Sequence, residues 1–193
     1  MYLIECTESA ETIIKKSRFI AKIQPIQAEN EVNIAIKDEF NTHPNANHIA
    51  FSFRIQTAQG IRYRYYDAGE PSGTAGKPIY QQIEGNDLIN VLITVTRYFG
   101  GIKLGAGGLT RAYGKAAKLT IEKSQLITYV EYERVKIELE YSALRQFEYQ
   151  MEKLGARIQD QQFGEKITIS ADVPKDKLEQ LAELTLFNPS SPC

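Results

Sequence analysis

The stretch "LINVLITVTRYFGGIKLGAGGLTRAYGKAA", residues 88–117, decides the fold of the first part of the chain. It starts with an almost unbroken apolar run, Leu88 to Thr96, which is typical of a strand buried on both faces. Five glycines follow between Gly100 and Gly108, and residues 109–124 then have the pattern of a helix. A glycine-rich loop leading into a helix presents backbone N–H groups to an anion. It serves equally as a tight turn, so the sequence leaves a phosphate site and a packed turn both open.

Hydrophobic periodicity assigns the other elements of the first 125 residues. In chain order they are two strands around a turn within residues 11–24, a helix over 28–40 that ends before Pro44, a hairpin of 49–57 and 61–66, and a short helix near 79–84. The loop between the hairpin and the short helix, "GEPSGTAGKP", is rich in glycine and proline. This part of the chain is therefore predicted to mix strands and helices.

The pattern changes near Thr128 to Glu133, where a basic helix gives way to the alternating strand "VKIELEY", residues 135–141. The predicted order is strand 134–141, helix 142–154 closed by Gly155, strand near 157–163, strand 166–173 and helix 175 to about 184. These are five of the six elements of a ferredoxin-like, split β-α-β unit. The last strand is hard to place because prolines interrupt the C-terminal residues. We predict an α+β protein with domains at residues 1–128 and 129–193.

Composition and charge restrict the class of protein. The chain is 42% hydrophobic and 24% charged, which is ordinary for a globular protein. Residues 1–125 carry a net charge of +3 and residues 126–193 carry −4, while residues 71–118 alone carry +4. A basic surface on the first domain favours a polyanionic partner.

Two cysteines, no secretory-signal pattern and no apolar run of membrane-spanning length are found in the sequence. We therefore expect a cytoplasmic protein that has reduced thiols and does not associate with a membrane.

The two glycine-rich loops miss the nucleotide-binding motifs that they resemble. "GEPSGTAGKP" has Pro71 in place of the first P-loop glycine and Pro78 in place of the hydroxyl that would hold Mg²⁺. The second loop has Thr110 where a dinucleotide fingerprint has its third glycine. We therefore expect neither a nucleoside triphosphatase nor a nicotinamide or flavin cofactor. The first loop remains a candidate anion nest, or simply a glycine-rich connection between the hairpin and the short helix.

Several titratable side chains lie near these loops. His43 and His48 are five residues apart, a spacing that favours structural or substrate-contacting histidines over a metal site. Asp67 and Glu70 are candidates for an acid/base pair, although loop carboxylates are usually just solvated. Ser72 would be a nucleophile only beside a base that the sequence does not supply. We predict no catalytic residue, no metal site and no cofactor.

Aromatic and basic residues alternate in "RYRYY", residues 62–66, and meet again in "RYF", residues 97–99. Aromatic and cationic side chains on one face of a sheet bind single-stranded nucleic acid. Successive side chains of a strand point to opposite faces, so we expect about half of these rings to lie in the core.

The motifs "KKSRFIAKIQPI", "HPNANH", "GEPSGTAGKPI" and "RYFGGIKLGAGGLTRAYGKA" together resemble the YigZ/Impact family over essentially the whole chain. The resemblance implies an N-terminal Impact domain of the ribosomal-protein-S5 domain-2 type, followed by a small ferredoxin-like domain. The sequence departs from the family at one place. The Asp-Asp-Gly that usually precedes "GEPSGTAG" is replaced here by Asp67, Ala68 and Gly69, preceded by Tyr66.

The same two folds occur side by side in translocation-type elongation factors, so the resemblance implies work on RNA or the ribosome. Eukaryotic Impact proteins restrain a translational-control kinase but carry an additional N-terminal interaction domain, so we do not extend kinase control to this chain. A third alternative is a protein partner in translational control, bound through the acidic C-terminal domain. Sugar-alcohol and mevalonate-type kinases use an S5-like fold with a glycine-rich phosphate loop. An enzyme that binds a phosphorylated small molecule at the same loops is therefore the alternative.

We expect an RNA- or ribosome-binding protein associated with translation rather than an enzyme. Arg111 and Lys115 are four residues apart and share a helix face, where a bound anion would relieve their repulsion. The predicted phosphate-binding residues are Gly73, Thr74, Gly76, Lys77, Arg97, Gly100, Gly101, Lys103, Gly105, Gly107, Arg111 and Lys115.

Overall fold

The computed structural model describes residues 1–186 and divides the chain into two compact units. The first unit runs from Met1 to Tyr129, and the second begins at Val130. Within residues 1–186, the helices include none that is both long and apolar enough to cross a membrane.

The first unit is built on a five-stranded sheet formed by β2 (Glu8–Ile14), β3 (Ser17–Pro25), β4 (His48–Thr57), β5 (Gly60–Tyr66) and β6 (Val91–Tyr98). The sheet is antiparallel, and its strand order is β2-β3-β6-β4-β5. The central strand β6 is buried from Val91 to Arg97, as its apolar sequence predicts. The edge strand β5 is mostly exposed.

Helices cover both faces of this sheet. They are α1 (Glu29–Thr42), α2 (Gly76–Gly85) and α3 (Ala106–Lys123). Val32 and Ala35 of α1 pack on one face against side chains that include Phe51 and Leu92. The helices α2 and α3 pack on the other face, where Ile79 and Tyr113 join the larger core.

The helix α3 begins three residues earlier than the sequence pattern suggests. Gly107 and Gly108 lie in its first turn, not in the loop, and Gly105 is its N-cap residue. Glycine has a low helix propensity, so the apolar periodicity that identifies the helix becomes visible only from Leu109. The earlier start matters for the site, because it brings the first residue of α3 to within three residues of Lys103.

A short two-stranded sheet was not predicted. β1 (Tyr2–Ile4) pairs antiparallel with β7 (Leu126–Thr128), so that Tyr2 lies opposite Thr128. Three-residue strands have no recognisable periodicity, and these two are distant in the sequence. The pairing joins the start of the first unit to its end.

The second unit is a three-stranded antiparallel sheet in the order β8-β10-β9. Its elements are β8 (Tyr132–Leu139), α4 (Leu144–Lys153), β9 (Arg157–Phe163), β10 (Ile167–Pro174) and α5 (Leu178–Leu186), with single 3₁₀ turns before α4 and α5. Placing β10 between β8 and β9 is the arrangement of a split β-α-β unit. The α+β, ferredoxin-like prediction is confirmed. The doubtful last strand lies outside the described residues.

Candidate functional site

A cavity of about 390 Å³ opens where the second glycine-rich stretch meets the ends of β4 and β6. We call residues 67–76 the first glycine loop and residues 99–105 the second glycine loop. The cavity is lined by Asn47, His48, Glu70, Pro71, Arg97, Phe99, Lys103, Leu104, Gly105, Ala106 and Leu109. It therefore combines residues from the sheet, from both loops and from the start of α3.

Arg97 is buried at the inner wall of this cavity, with a side chain only 6% exposed. Alternation along β6 places it on the same face as Ile93 and Val95, which belong to the larger core. Its Nη1 donates to Glu70 Oε1 at 2.6 Å. Its Nε is buried and lacks a hydrogen-bond partner among the described residues. Arg97 is thus an internal cation of the cavity, not the surface contact that the sequence predicts.

Glu70 is the buried counter-ion, with a side chain 4% exposed. Its Oε1 also accepts a hydrogen bond from the Tyr113 hydroxyl at 2.8 Å. Burial, and secondly the Glu70 charge, raise the pKa of Tyr113 well above the ordinary tyrosine value. The expectation that this loop carboxylate is solvated is wrong, because it supplies the charge that Arg97 needs inside the core.

His48 lies beside this pair. Its Nδ1 lies 2.8 Å from the Ala68 carbonyl oxygen, which only accepts, so Nδ1 carries the proton. The other ring nitrogen, Nε2, lies 3.8 Å from Glu70 Oε1.

His43, the other candidate histidine, has a different partner: its Nδ1 lies 2.9 Å from the Tyr98 hydroxyl oxygen. Among residues 1–186, no group of three or more histidine, cysteine, aspartate or glutamate side chains is arranged to hold a metal ion.

The first glycine loop is already occupied by a carboxylate of the chain. Asp67 accepts hydrogen bonds from the backbone N–H groups of Gly73, Ala75 and Gly76 at 2.9, 3.0 and 2.9 Å. Thr74 is buried, and its hydroxyl donates to the Pro71 carbonyl at 2.6 Å. The predicted nest is formed, but its N–H groups bind an internal anion. Lys77, beyond the loop, remains exposed.

Gly76 and Gly100 are glycines because another part of the backbone comes close to them. A Cβ on Gly76 would lie 2.5 Å from the Tyr66 nitrogen. A Cβ on Gly100 would lie 2.0 Å from the carbonyl carbon and oxygen of Lys16. At these two positions the packed-turn interpretation is correct, because the bare backbone accommodates a neighbouring loop.

The remainder of the second glycine loop is open. Gly101 and Gly105 have φ angles of +85° and +70°, with no atom within 4 Å of an added Cβ. The helix that follows has no side-chain cap at Gly105 and no acidic residue in its first turn, where Gly107 lies. The N–H groups of a first helical turn carry partial positive charge, and exposed Lys103 lies next to them in sequence. Positive charge is therefore concentrated at this end of the cavity.

The other predicted cations line a separate groove between α2 and α3. The groove has a volume of about 320 Å³ and is lined by Pro78, Gln81, Gln82, Thr110, Arg111, Gly114, Lys115 and Lys118. Arg111 and Lys115 are exposed, and neither is in an ion pair within the described part of the chain. Lys118 pairs with Glu122 at 3.6 Å on the surface. The single basic face that the sequence predicts is therefore divided into a cavity and a groove.

The tyrosines of β5 are more exposed than expected. Tyr63, Tyr65 and Tyr66 are each at least 42% exposed, because β5 is an edge strand. The rings of Tyr63 and Tyr80 stack with their centroids 4.6 Å apart. Burial, and secondly a hydrogen bond to Glu84, raise the pKa of Tyr80 to about 12. The expectation that half of these rings lie in the core is wrong for β5.

Comparison with known proteins places the chain in a family. Residues 15–121 match the Impact N-terminal domain, and residues 137–185 match a domain of unknown function, DUF1949. An IMPACT family member of Haemophilus influenzae is 32% identical over 177 residues, covering 91% of this chain and 86% of that protein. The IMPACT family member YigZ of Escherichia coli is 27% identical over 180 residues, covering 92% and 88%.

A solved structure is similar over nearly its whole length. It is described as the crystal structure of an hypothetical protein, with a TM-score of 0.68, 25% identity and coverage of 98% of this chain and 93% of that one. The Impact N-terminal domain match includes both glycine loops and more than half of the residues. The chain belongs to the Impact family.

Proposed function

We propose that the first unit binds RNA, free or within the ribosome, through the groove between α2 and α3. One observation carries the proposal: the groove is lined by three cationic side chains and by no acidic one. Protein–RNA affinity is dominated by phosphate contacts from lysine and arginine, so a groove of this charge fits a phosphodiester backbone.

The spacing of the cations supports a bound anion. Arg111 and Lys115 are four residues apart on α3, and like charges at this spacing destabilise a helix by about 0.2–0.5 kcal/mol. Within the described residues, neither has a carboxylate partner that would relieve the repulsion. A phosphate between the two side chains would attract both and so relieve their mutual repulsion.

Neutral groups of the groove and the neighbouring strand suit the rest of a nucleotide chain. Gln81, Gln82 and Thr110 supply hydrogen-bond donors and acceptors for sugar and base edges. On the far side of α2, the exposed rings of Tyr63 and Tyr65 lie against Tyr80. Exposed aromatic rings stack on unpaired bases with little dependence on sequence. Binding to single-stranded RNA is therefore expected to tolerate many sequences.

The experiment measures affinity for a short single-stranded RNA at several salt concentrations. Neutralising three phosphates gives a slope of about −2 for log K against log salt, or a loss of about 20-fold between 50 and 200 mM. The variant Arg111→Gln/Lys115→Gln leaves one cation in the groove and should flatten the slope to about −0.7. Co-sedimentation with ribosomes should weaken in parallel.

The matched control is Lys15→Gln/Lys37→Gln. It removes the same charge from two exposed lysines, one in the turn between β2 and β3 and one on α1, neither of which lines the groove. The control should keep the wild-type slope. RNA affinity that falls equally in both double variants, or in neither, contradicts the groove as the binding surface. The groove variant should remain as stable as wild type, because glutamine is a good helix former and a repulsion is removed.

A further inference from the structure

The cavity beside the second glycine loop holds polar atoms that RNA binding in the groove does not use. The two sites have no lining residue in common. Glu70 lines the cavity, and its Oε1 accepts from Arg97 and Tyr113. Its second oxygen, Oε2, has no hydrogen-bond partner in residues 1–186. This oxygen is open to the cavity, so a ligand donor can reach it and form the hydrogen bond.

His48 offers a second acceptor at the same place. Because Nδ1 donates to the Ala68 carbonyl, the neutral ring has its lone pair on Nε2. That atom lies 3.8 Å from Glu70 Oε1, too far for a hydrogen bond, and His48 lines the cavity. Arg97 already neutralises the Glu70 charge, so the matching ligand group is a neutral donor such as a hydroxyl.

The start of α3 brings positive charge to the cavity. Gly105 and Ala106 line the cavity, and the first turn of this 18-residue helix has neither a side-chain cap nor an acidic residue. Lys103 lines it too, without an ion pair within residues 1–186. Free N–H groups at a helix start and a lysine together bind a phosphate.

Apart from Asn47, whose Oδ1 accepts a hydrogen bond from the Phe99 N–H at 2.7 Å, the remaining walls are apolar. They are formed by Pro71, Phe99, Leu104 and Leu109. Phe99 is 45% exposed, and the Arg97 guanidinium carbon lies 5.5 Å from its ring centroid. Small-molecule sites are typically clefts of about 300–1,000 Å³ with apolar walls and a few polar groups, and this cavity of about 390 Å³ is in that range.

We propose that this cavity binds a 5′-phosphorylated ribonucleoside with free ribose hydroxyls. The phosphate lies against Lys103 and the start of α3, a ribose hydroxyl donates to Glu70 Oε2 or His48 Nε2, and the base packs on the apolar wall beside Phe99. The same chemistry is offered by a free mononucleotide and by the 3′-terminal nucleotide of an RNA. Neither source requires the groove between α2 and α3.

Calorimetric titration of the intact protein with AMP and three analogues tests each part of the proposal. Adenosine lacks the phosphate, 2′,3′-dideoxyadenosine 5′-monophosphate lacks the hydroxyls, and ribose 5-phosphate lacks the base. Each analogue should bind at least about tenfold more weakly than AMP, because each leaves one set of groups unpaired. Equal affinity for AMP and any one analogue, or no binding of AMP at millimolar concentration, overturns the proposal.

Two lysines provide a matched pair of variants. Lys103→Gln should weaken AMP binding by about five- to tenfold, the usual effect of a lost surface charge contact to phosphate. Lys77→Gln removes an exposed lysine outside the cavity and should leave AMP affinity unchanged. Equal effects of the two substitutions overturn the assignment of the phosphate end. Both are surface changes, so folding does not confuse the result.

The variant Arg111→Gln/Lys115→Gln separates this proposal from the RNA-binding groove. It should leave AMP affinity unchanged even if it abolishes RNA binding, and a parallel loss of AMP affinity overturns the claim of a separate site.

A trinucleotide with a 3′-diol and the same trinucleotide with a 3′-phosphate distinguish the two sources. Tighter binding of the diol, by about tenfold, assigns the cavity to RNA ends. Equal binding of the two, together with AMP binding, assigns it to the free nucleotide.

Discussion

The two glycine loops are similar in sequence, but they differ in whether a carboxylate of the chain binds their backbone N–H groups. Both precede a helix, and both contain several glycines. The first loop folds its N–H groups around the carboxylate of Asp67. The second loop leads into a helix that has no capping side chain and no acidic residue in its first turn. The first loop is closed by an internal anion, whereas residues 1–186 supply no capping carboxylate at the second.

Two carboxylates of the first loop, three residues apart in sequence, also have different partners. Asp67 is bound by backbone N–H groups, whereas Glu70 is bound by the side chains of Arg97 and Tyr113. Composition alone does not distinguish a ligand site from a structural turn. What distinguishes them is whether the chain supplies the anion.

The largest effect is expected for Gly100→Ala in the second loop. The new Cβ would lie 2.0 Å from the backbone of Lys16, which cannot rotate away. We expect the free energy of unfolding to fall by about 3 kcal/mol or more, measured by urea denaturation. The control is Gly101→Ala, which has a positive φ but open space and should cost about 1 kcal/mol. Equal losses would mean that close approach of the two backbones is not what selects glycine.

The next effect concerns Asp67. Asp67→Ala removes the acceptor of three N–H groups and should lower the free energy of unfolding by about 2–3 kcal/mol. Asp67→Asn keeps one acceptor oxygen and should cost less. Asp38→Ala, at an exposed carboxylate of α1, should change the value by less than about 0.5 kcal/mol. If Asp67→Ala is as mild as Asp38→Ala, the first loop is not held by its carboxylate.

Tyr113→Phe tests the other carboxylate. It removes the hydroxyl that donates to Glu70 and should cost about 1–2 kcal/mol at neutral pH. The pKa of Tyr113 is raised in the folded protein, so the unfolded chain loses this proton first as the pH rises above the ordinary tyrosine pKa of about 10. The stabilisation is therefore fully present below pH 10 and declines above it. The difference in unfolding free energy between the two proteins should be the same at pH 7 and pH 9 and smaller at pH 10.5. A difference that stays constant up to pH 10.5 contradicts the prediction.

The last two substitutions lie on either side of the start of α3 and have opposite signs. Gly105 has a φ of +70° and a ψ of 166°, a region that essentially only glycine adopts, so Gly105→Ala should cost about 1–3 kcal/mol. Gly107 lies within the helix, and the nearest atom to an added Cβ is Arg111 Nη1 at 3.6 Å. Gly107→Ala should raise the free energy of unfolding by up to about 1 kcal/mol, because alanine favours the helix. Thermal unfolding measures both, and destabilisation by Gly107→Ala would place the helix start later than Gly107.

Most of the fold follows from local patterns in the sequence, and part of the site does too. Residues of β6 alternate between two buried faces, so Arg97 shares a face with Ile93 and Val95. That alternation is visible in the sequence and already indicates that Arg97 points into the core. The positive charge of the surrounding segment led instead to the expectation of a surface contact. The positions of Lys103, Arg111 and Lys115 on the surface agree with the expectation from charge.

The role of Asp67 could not be predicted, because it depends on how the loop returns to the hairpin. The contact of Gly76 with the backbone of Tyr66 brings the N–H groups of the loop back to Asp67. No spacing rule contains this geometry. The pairing of β1 with β7 is hidden for a similar reason, since it joins short segments separated by almost the whole first unit.

The β1–β7 pairing also places the first and last residues of the first unit side by side, since the Tyr129 N–H donates to the Met1 carbonyl at 3.0 Å. Adjacent ends make circular permutation and insertion into a host loop geometrically simple. In a permuted variant, a short designed linker would join Tyr129 to Met1. The new termini would be placed at the exposed turn of Ala58 and Gln59, which leaves both glycine loops intact. The fold of the first unit would therefore be preserved with its strands and helices joined in a circularly permuted order.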